Sequence, residues 1–272
     1  MRPFFKWPGG KFKLLSRLVP LLPVGGRLVE PFVGSGAVFL NTVHSEVVIA
    51  DANRDLMFLY RSLADRGEAF IEACRVLFTP GANSKEEYYC RRDAFNRLSE
   101  GDDRRSALFL YLNRHGYNGL IRYNAKGAWN VPFGAYARPY FPERELRHAL
   151  ERLSSGGVRC VAADFRETFG LVCAGDVVYC DPPYIPLSST ANFTAYAGMP
   201  FGWEEQEELA GCAERAARVG ATVVISNHDT PHARRLYRNA SVVHSFQVRR
   251  SISCRARKPV TELLAVYAHA EG

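Results

Sequence analysis

Short apolar runs alternate with longer amphipathic runs along this chain, and the two patterns predict strands and helices respectively. The first elements predicted in this way are a strand at Leu28 and Val29, a glycine turn, a helical run that begins at Ala37 and a second strand over residues 47–50. A strand, a turn, a helix and a second strand in this order predict the start of a parallel α/β sheet.

The same apolar pattern returns in the second half of the chain. Strands are predicted over residues 159–162, 176–180 and 222–225, and a helix over residues 204–218 precedes the last of these. Two final β-rich runs, 242–248 and 263–267, predict a closing hairpin. Together these elements predict an α/β fold, a Rossmann-like doubly wound sheet that ends in a β-hairpin.

The interval 57–153 breaks this alternation, because it is rich in charge, aromatic residues and helical spacing and then becomes irregular. Such a long interruption of the strand and helix alternation indicates an insertion into the sheet domain. We therefore predict a catalytic domain formed by residues 1–56 and 154–272, and a mainly helical recognition insertion over residues 57–153. Tyr88 and Tyr89 could stack on bases, but they are interpreted as core aromatics.

Composition limits the class of protein. The chain has 272 residues, of which 47% are hydrophobic, enough for a sizeable core, while no apolar run is long enough to cross a membrane. The N-terminus lacks a secretory pattern, and the seven cysteines form no C-x-x-C pair. We expect a cytoplasmic protein that needs no metal, and Pro231 between His228 and His232 argues against a metal pair.

The formal charge of +7 is compatible with a polyanionic partner but is weak support alone. The densest basic run lies within residues 249–258, where a hairpin loop that touches phosphates and a merely solvated loop are both open interpretations.

The first candidate site is the turn at residues 30–36, EPFVGSG, in which Gly34 and Gly36 are one residue apart. Such a turn lets a ligand approach the backbone closely. Asp51 ends the next strand, where an acidic residue accepts hydrogen bonds from ribose, although it could also cap the following helix. Because the third glycine of a dinucleotide site is missing, an adenosyl ligand without a pyrophosphate fits better.

The strongest signal is the segment Asp181, Pro182, Pro183 and Tyr184, which directly follows an apolar strand. It therefore lies at the carboxyl end of a strand, where open α/β sheets bind their ligands. The two prolines stiffen the turn and remove two backbone donors, so their carbonyl oxygens remain acceptors.

These four residues suit methylation of an exocyclic amine on a nucleobase. That nitrogen is a poor nucleophile because its lone pair is delocalised into the ring. The Asp181 carboxylate and the Pro182 carbonyl can hold its two hydrogens, while the Tyr184 ring stacks on the base. In duplex DNA the target base must first be flipped into the pocket, and in-line methyl transfer is then mainly a matter of positioning.

With these pieces in order, the sequence resembles the Dam family of bacterial and phage adenine-N6 methyltransferases over essentially its whole length. The shared segments, in chain order, are residues 6–11 (KWPGGK), 29–36 (VEPFVGSG), 117–120 (YNGL), 130–134 (NVPFG), 139–143 (PYFPE), 180–184 (CDPPY), 191–196 (ANFTAY) and 226–230 (SNHDT).

The resemblance implies S-adenosylmethionine as the methyl donor, with S-adenosylhomocysteine as its product. Trp7 and Lys11 match residues that help to bind this cofactor, Asp51 the residue that holds its ribose, and Asp181 the residue that touches both cofactor and target amine. Asp164 and Phe165 resemble the place that holds the adenine of the cofactor, although Phe165 could simply pack in the core. The predicted cofactor set is Trp7, Lys11, Phe32, Gly34, Gly36, Asp51, Asp164, Phe165 and Asp181.

The resemblance also implies double-stranded DNA as the partner and GATC as the target. Lys6 and Arg122 match base readers, because such side chains can donate to O6 and N7 of guanine. The remaining DNA residues are predicted to lie beside the flipped adenine (Tyr117, Asn118), to pack on bases (Leu120, Pro132, Tyr136) or to grip phosphates (Arg114, Arg138). Gly116 and Gly119 bracket a loop that is expected to change conformation on binding.

This chain departs from the family at Ala135 and Ala137, where close relatives often carry basic residues. A weaker phosphate grip is the expected consequence, so that the protein depends more on Arg138, Arg114 and the 249–258 loop, or releases DNA more readily.

Two alternatives stay open. The first keeps the chemistry on another substrate, such as adenine in RNA or the N4 amine of cytosine, although Asp181 argues against cytosine because serine is more usual there. The second is a non-catalytic DNA-binding regulator that has kept the fold.

Overall fold

A computed structural model describes residues 1–185, 201–248 and 260–268 of the chain. A seven-stranded sheet runs through these ranges, with the strand order β3-β2-β1-β4-β5-β7-β6. The strands are β1 (Leu28–Glu30), β2 (Val47–Asp51), β3 (Val158–Ala162), β4 (Val177–Cys180), β5 (Thr222–His228), β6 (Val242–Val248) and β7 (Val260–Tyr267).

The first five strands are parallel, and β7 is antiparallel to both β5 and β6. The predicted α/β fold with a doubly wound sheet and a closing hairpin is thus confirmed. The predicted bounds of β6 agree with the structure, whereas β5 continues to His228 and β7 begins at Val260, beyond the apolar runs that predict them.

Both faces of the sheet are covered, which explains why its strands read as continuous apolar runs. Successive side chains of a strand point to opposite faces. On β1, Leu28 packs into the cluster that holds the helices of the interval 57–153, while Val29 packs into the cluster under the later helices. On β4, Val177 and Val178 divide in the same way.

Nine α-helices lie within the described ranges. They are α1 (Leu15–Leu18), α2 (Arg54–Arg66), α3 (Glu68–Arg75), α4 (Lys85–Arg97), α5 (Asp103–His115), α6 (Glu143–Leu153), α7 (Phe165–Phe169), α8 (Trp203–Arg218) and α9 (Pro231–Leu236). In these same ranges, no helix combines the length and the apolar character needed to span a membrane.

The helical run predicted from Ala37 is wrong. Only a single 3₁₀ turn, Phe39–Asn41, forms there, and Thr42 is extended. The side-chain amide of Asn41 donates to the Ala37 carbonyl oxygen at 2.8 Å. In an α-helix that oxygen would accept from the backbone amide four residues later, so the Asn41 side chain competes with helix propagation.

The interval 57–153 contains most of the helical mass on one face. Its centre is α5, in which every residue from Ser106 to His115 is buried. The predicted boundary at residue 57 lies inside α2, which packs against α5 and against the sheet, and Arg61 on this helix donates to the Cys160 carbonyl oxygen at 3.0 Å. Tyr88 is fully buried, as its interpretation as a core aromatic requires.

A buried polar network joins α2 and α5 to the irregular segment that follows them. The Asp55 carboxylate accepts from Arg105 at 2.6 and 3.0 Å and from the Tyr123 hydroxyl at 2.7 Å. Arg105 also donates to the carbonyl oxygens of Phe95 and Leu98, both at 2.8 Å. Each buried polar group in this network therefore has a partner, which is the condition for burying a charge at tolerable cost.

We expect Asp55→Ala to lower the free energy of unfolding by about 3 kcal/mol, because Arg105 would stay in the interior without its carboxylate. The Asp55 and Arg105 side chains are only 9% and 12% exposed. Urea denaturation followed by circular dichroism measures the change. Arg104→Ala is the matched control, since the Arg104 side chain is 77% exposed and its loss should leave the midpoint unchanged. Equal midpoints for the two variants would contradict the assignment.

Candidate active site

The carboxyl ends of the parallel strands meet at one edge of the sheet. The strand order reverses between β1 and β4, and a crevice opens at such a reversal. The glycine turn follows β1, Asp51 ends β2, and Asp181 follows β4. The fold thus brings together the three segments that carry the predicted chemistry.

The glycine turn depends on its two glycines. Gly34 has a φ of 49° and Gly36 a φ of 74°, both in the left-handed region that favours glycine. A Cβ atom on Gly34 would lie 2.8 Å from the indole ring of Trp7, and one on Gly36 would lie 2.7 Å from the Tyr60 hydroxyl. Trp7 can therefore pack on the turn only because no side chain projects from Gly34.

Asp51 links β2 to the glycine turn. Its side chain is fully buried, and its two oxygens accept from the backbone amides of Gly34 at 3.1 Å and Asn53 at 2.9 Å. The alternative that Asp51 caps the next helix is wrong, because the Asn53 side chain accepts from the Leu56 amide and caps α2.

The Asp181 carboxylate is held by two side chains. Lys11 Nζ lies 2.7 Å from Asp181 Oδ1, and the Ser226 hydroxyl donates to the same oxygen at 3.1 Å. Lys11 also donates to the Gly9 carbonyl oxygen at 2.7 Å, and its ammonium lies 4.7 Å from the centroid of the Tyr184 ring. The side chain of Lys11 is only 5% exposed, so this cation is buried within the site.

Contacts from β5 and β7 orient the Tyr184 ring. Its hydroxyl donates to Glu262 Oε2 at 3.3 Å, and His228 packs edge-on with 4.7 Å between ring centroids. Burial, together with the nearby Asp181 and Glu262, raises the pKa of Tyr184, so its hydroxyl stays a donor. The preceding prolines are fixed as well, since Gln206 donates to the Pro183 carbonyl oxygen at 2.6 Å and Pro182 is buried.

A second acid lies beneath this site and was missed from the sequence, although it begins the EPFVGSG segment. Glu30 ends β1 and is 2% exposed. Burial raises the pKa of Glu30 to about 8, a hydrogen bond donated by the Phe39 backbone amide partly offsets this, and the neighbouring Asp181 raises the pKa further. Within the described part of the chain nothing donates to Glu30 Oε1. Glu30 is therefore protonated near neutral pH.

Three phenylalanines form an aromatic wall beside the glycine turn. Phe32 and Phe165 are stacked with 5.6 Å between ring centroids, and Phe201 packs edge-on against both. Asp164 caps α7 by accepting from the Arg166 amide at 2.9 Å. Phe165 is 1% exposed, so the core-packing interpretation describes its position in this structure.

Lys6 lies next to the segment predicted to enter the DNA. The Asn113 side chain accepts from the Lys6 amide at 3.0 Å and donates to the carbonyl oxygens of Lys6 at 2.9 Å and Gly119 at 3.2 Å. The Lys6 ammonium lies 4.6 Å from the centroid of the Tyr136 ring. Burial, and then the neighbouring Arg114, lowers the pKa of Lys6. Asn113 thus positions two predicted DNA elements and was not identified from the sequence.

The turn Tyr117–Gly119 projects from the end of α5. Asn118 has a φ of 53°, the Tyr117 side chain is 47% exposed, and the Tyr117 amide donates to the carbonyl oxygen of the exposed Pro132 at 2.9 Å. Leu120 is half-buried and packs against the core. Tyr117, Asn118 and Pro132 are therefore exposed to solvent, whereas Leu120 helps to fix the turn to the core.

Arg122 is exposed but held in place. Its Nε donates to the Asn130 side chain at 2.7 Å and its Nη2 to the Asn130 carbonyl oxygen at 2.9 Å. The flanking residues Tyr123 and Trp129 form a β-bridge, and Trp129 is buried. Arg122 therefore projects from a hairpin whose inner side is anchored in the core.

The two predicted phosphate contacts differ. Arg138 is exposed. Arg114 is buried and donates to the Phe4 carbonyl oxygen, and burial lowers its pKa to about 10. The phosphate contact of Arg114 stays a prediction, and it would require this buried guanidinium to reach the surface.

Two predicted elements, residues 191–196 and the basic run within 249–258, lie outside the described residues. His228 ends β5 with Nδ1 2.7 Å from the Ile185 carbonyl oxygen, while His232 lies on α9 with its ring 5.3 Å from that of Trp203. Among the residues that the structure describes, no group of three or more His, Cys, Asp or Glu residues could hold a metal ion.

Known adenine-specific DNA methyltransferases are similar to this chain over nearly its whole length. The profile of the D12 class N6 adenine-specific DNA methyltransferase family matches residues 7–252. The chain is 49% identical over 268 residues to the DNA adenine methylase of Escherichia coli strain K12, an alignment that covers 98% of this chain and 95% of that protein. It is 48% identical to the DNA adenine methylase of Salmonella typhi over the same shares, and 47% identical to that of Vibrio cholerae serotype O1 strain El Tor Inaba N16961 over 98% and 96%.

A solved precorrin 8w decarboxylase from Methanobacterium thermoautotrophicum aligns with 98% of this chain and 100% of its own at 12% identity and a TM-score of 0.41, too remote a likeness to support any statement.

The raised pKa of Glu30 predicts a pH dependence of stability. In the unfolded chain Glu30 ionises near pH 4.5, whereas in the fold it stays protonated to about pH 8. Its contribution is complete below the lower value and is lost as the pH rises through the higher one, at about 1.4 kcal/mol per pH unit between them. Glu30→Gln stays neutral and should remove this slope from the free energy of unfolding, measured by urea denaturation from pH 5 to pH 8.

Glu46→Gln removes an exposed carboxyl group just before β2 and serves as the control, which should keep the wild-type slope. If Glu30→Gln also kept that slope, Glu30 would be ionised in the folded protein at neutral pH.

Proposed function

Because this chain belongs to the D12 class of N6 adenine-specific DNA methyltransferases, we propose that it transfers the methyl group of S-adenosylmethionine to the N6 amine of an adenine flipped out of a GATC duplex. Methylation of adenine in DNA follows from membership of the family. The methyl donor, the target sequence, the extrusion of the base and the residues that perform each task are the proposal.

The observation that carries the proposal is the placement of Asp181 beside Tyr184 at the reversal of the strand order. Of the two acids at this edge, Asp181 is the one that pairs with a cation, since Lys11 Nζ lies 2.7 Å from its Oδ1. An ionised carboxylate accepts strongly from an N–H group, and a neutral carboxyl group would not offer the same oxygen.

The residues around the glycine turn fit S-adenosylmethionine. The turn has no side chain at Gly34, so the backbone can be approached closely, and Trp7 packs beside it. Asp51 offers an acceptor for ribose hydroxyls, Lys11 a cation for a carboxylate, and the aromatic wall an apolar surface for adenine. The residues that would hold the cofactor are Trp7, Lys11, Phe32, Gly34, Gly36, Asp51, Asp164, Phe165 and Asp181.

When bound, S-adenosylmethionine supplies an electrophilic methyl group. The chain prepares the amine that receives this methyl group. The Asp181 carboxylate and the Pro182 carbonyl oxygen accept hydrogen bonds from the two N–H groups of the amine. These bonds favour a pyramidal nitrogen whose lone pair is no longer delocalised into the ring. Asp181 is also placed to take up the proton that this nitrogen loses. Pro183 keeps the turn rigid, and Tyr184, held by Glu262 and His228, offers a fixed ring face for the base.

The exposed side chains of the helical insertion supply the DNA surface. Asn130 accepts from Nε and Nη2 of Arg122. The edge of the guanidinium between its two Nη atoms therefore points away from Asn130 and can donate to O6 and N7 of one guanine. Lys6 is the second proposed reader. The other proposed contacts are Tyr117 and Asn118 beside the flipped adenine, Leu120, Pro132 and Tyr136 against bases, and Arg138 at a phosphate.

The test is to incubate purified protein with tritiated S-adenosylmethionine and matched duplexes that contain GATC or a scrambled site. We expect label on the adenine of GATC only. Asp181→Asn keeps the size of the side chain but removes its charge, and it should fold normally while transferring no label. Equal labelling of both duplexes would reject the GATC target, and no labelling of any adenine-containing DNA or RNA would favour a non-catalytic regulator.

Arg122→Ala should cost roughly 1 to 3 kcal/mol of discrimination at a single base pair of the site, because only that pair loses its donor. The measurement is kcat/KM on GATC and on duplexes changed one pair at a time. Arg138→Ala is the matched arginine control: as a phosphate contact, it should weaken binding to all duplexes alike and reduce the salt dependence of binding by about one ion. Unchanged discrimination in Arg122→Ala would show that another residue reads the base.

A further inference from the structure

The ammonium group of Lys11 contacts the two groups to which the proposed function assigns the target adenine. It lies 2.7 Å from Asp181 Oδ1 and 4.7 Å from the centroid of the Tyr184 ring. The first contact is the one proposed for the N6 amine, and the second covers a ring face on which the base would stack. A cationic N–H donor therefore makes both interactions that the proposed reaction assigns to adenine.

Lys11 and a flipped adenine compete for the same oxygen. Ser226 already donates to Asp181 Oδ1 at 3.1 Å, so the oxygen that Lys11 contacts carries two donors in this structure. With two lone pairs on a carboxylate oxygen, a further donor has to compete with these two for Oδ1. Of the two, the Lys11 ammonium also covers the Tyr184 ring, so it is the one that adenine would have to displace.

The position of Lys11 gives it a second direction in which to turn. Its backbone follows Gly9 and Gly10, and a Cβ atom on Gly10 would lie 3.6 Å from the Ser35 hydroxyl in the glycine turn. Lys11 thus stands between the glycine turn and Asp181. Its flexible four-carbon stem allows the ammonium to reach partners on either side of one backbone position.

We propose that Lys11 is a two-position residue that closes the adenine site until the methyl donor is bound. In the first position, seen here, it neutralises Asp181 and covers Tyr184. In the second it pairs with the carboxylate of the bound methyl donor and leaves Asp181 to the amine. This inference rests on the proposed function, and it adds an order: the donor binds first and thereby opens the site for adenine.

The experiment compares binding of two GATC duplexes, one with adenine at the target position and one with purine, which lacks the amine. The ratio of their dissociation constants isolates the contact of the amine. Comparing this ratio between protein states cancels the weaker pairing of purine with thymine. The ratio is measured by fluorescence anisotropy with and without S-adenosylhomocysteine, the donor without its methyl group, so no turnover is involved.

In the wild-type protein, S-adenosylhomocysteine should shift the ratio toward adenine about tenfold or more, the usual worth of a hydrogen bond to a charged group. Lys11→Met keeps an unbranched side chain, one atom shorter, but removes its charge, and it should show the shifted ratio already without S-adenosylhomocysteine. The same variant should bind S-adenosylhomocysteine at least about tenfold more weakly, because it has lost the cation for the carboxylate. Lys11→Arg, which keeps the charge, should resemble the wild type in both measurements.

Opposite changes in the two affinities separate this inference from simple damage, since a disordered site would weaken both. If Lys11→Met has the wild-type ratio without S-adenosylhomocysteine, Lys11 does not close the site and the inference is overturned. If the wild-type protein binds GATC and scrambled duplexes equally, with and without S-adenosylhomocysteine, the proposed target is at fault, and the inference that rests on it falls too.

Discussion

The site depends on how the fold places two acids at neighbouring strand ends with only one negative charge between them. Glu30 ends β1, Asp181 follows β4, and the two repel each other in a poorly solvated crevice. The fold resolves this by burying Glu30 in its protonated form and by giving Asp181 the Lys11 ammonium and the Ser226 hydroxyl. Asp181, the proposed acceptor of the amine, is thereby fixed by two donors at the edge of the sheet.

Much of the fold could be predicted from the sequence, because strands buried on both faces read as unbroken apolar runs and the motif residues follow those runs directly. The errors have local physical causes. The helix from Ala37 fails because the Asn41 side chain takes the Ala37 carbonyl, and Asn53 rather than Asp51 caps α2. The burial of Arg114 against Phe4, 110 positions earlier, likewise could not be predicted from the local pattern.

The partners that orient the site were also beyond the sequence. Glu262 and Asn113 carry no motif, and each acts through contacts with residues far away in the chain. Asn113 joins Lys6 to the turn that ends in Gly119, so the two proposed parts of the DNA surface share one side chain. In the same way, Asp55 joins the segment after α5 to the helix that follows Asp51. The reading surface and the crevice are consequently parts of one packed unit.

The N-terminal segment has a consequence for folding. Lys6, Trp7 and Lys11 all lie in the first eleven residues, yet Lys6 is fixed by a residue 107 positions later and Lys11 by a strand end further still. Closing such long loops costs entropy that only the finished contacts repay. During synthesis this segment leaves the ribosome before β4 but can dock on Asp181 only after β4 has emerged. The nascent chain therefore cannot complete its crevice until β4 has been made.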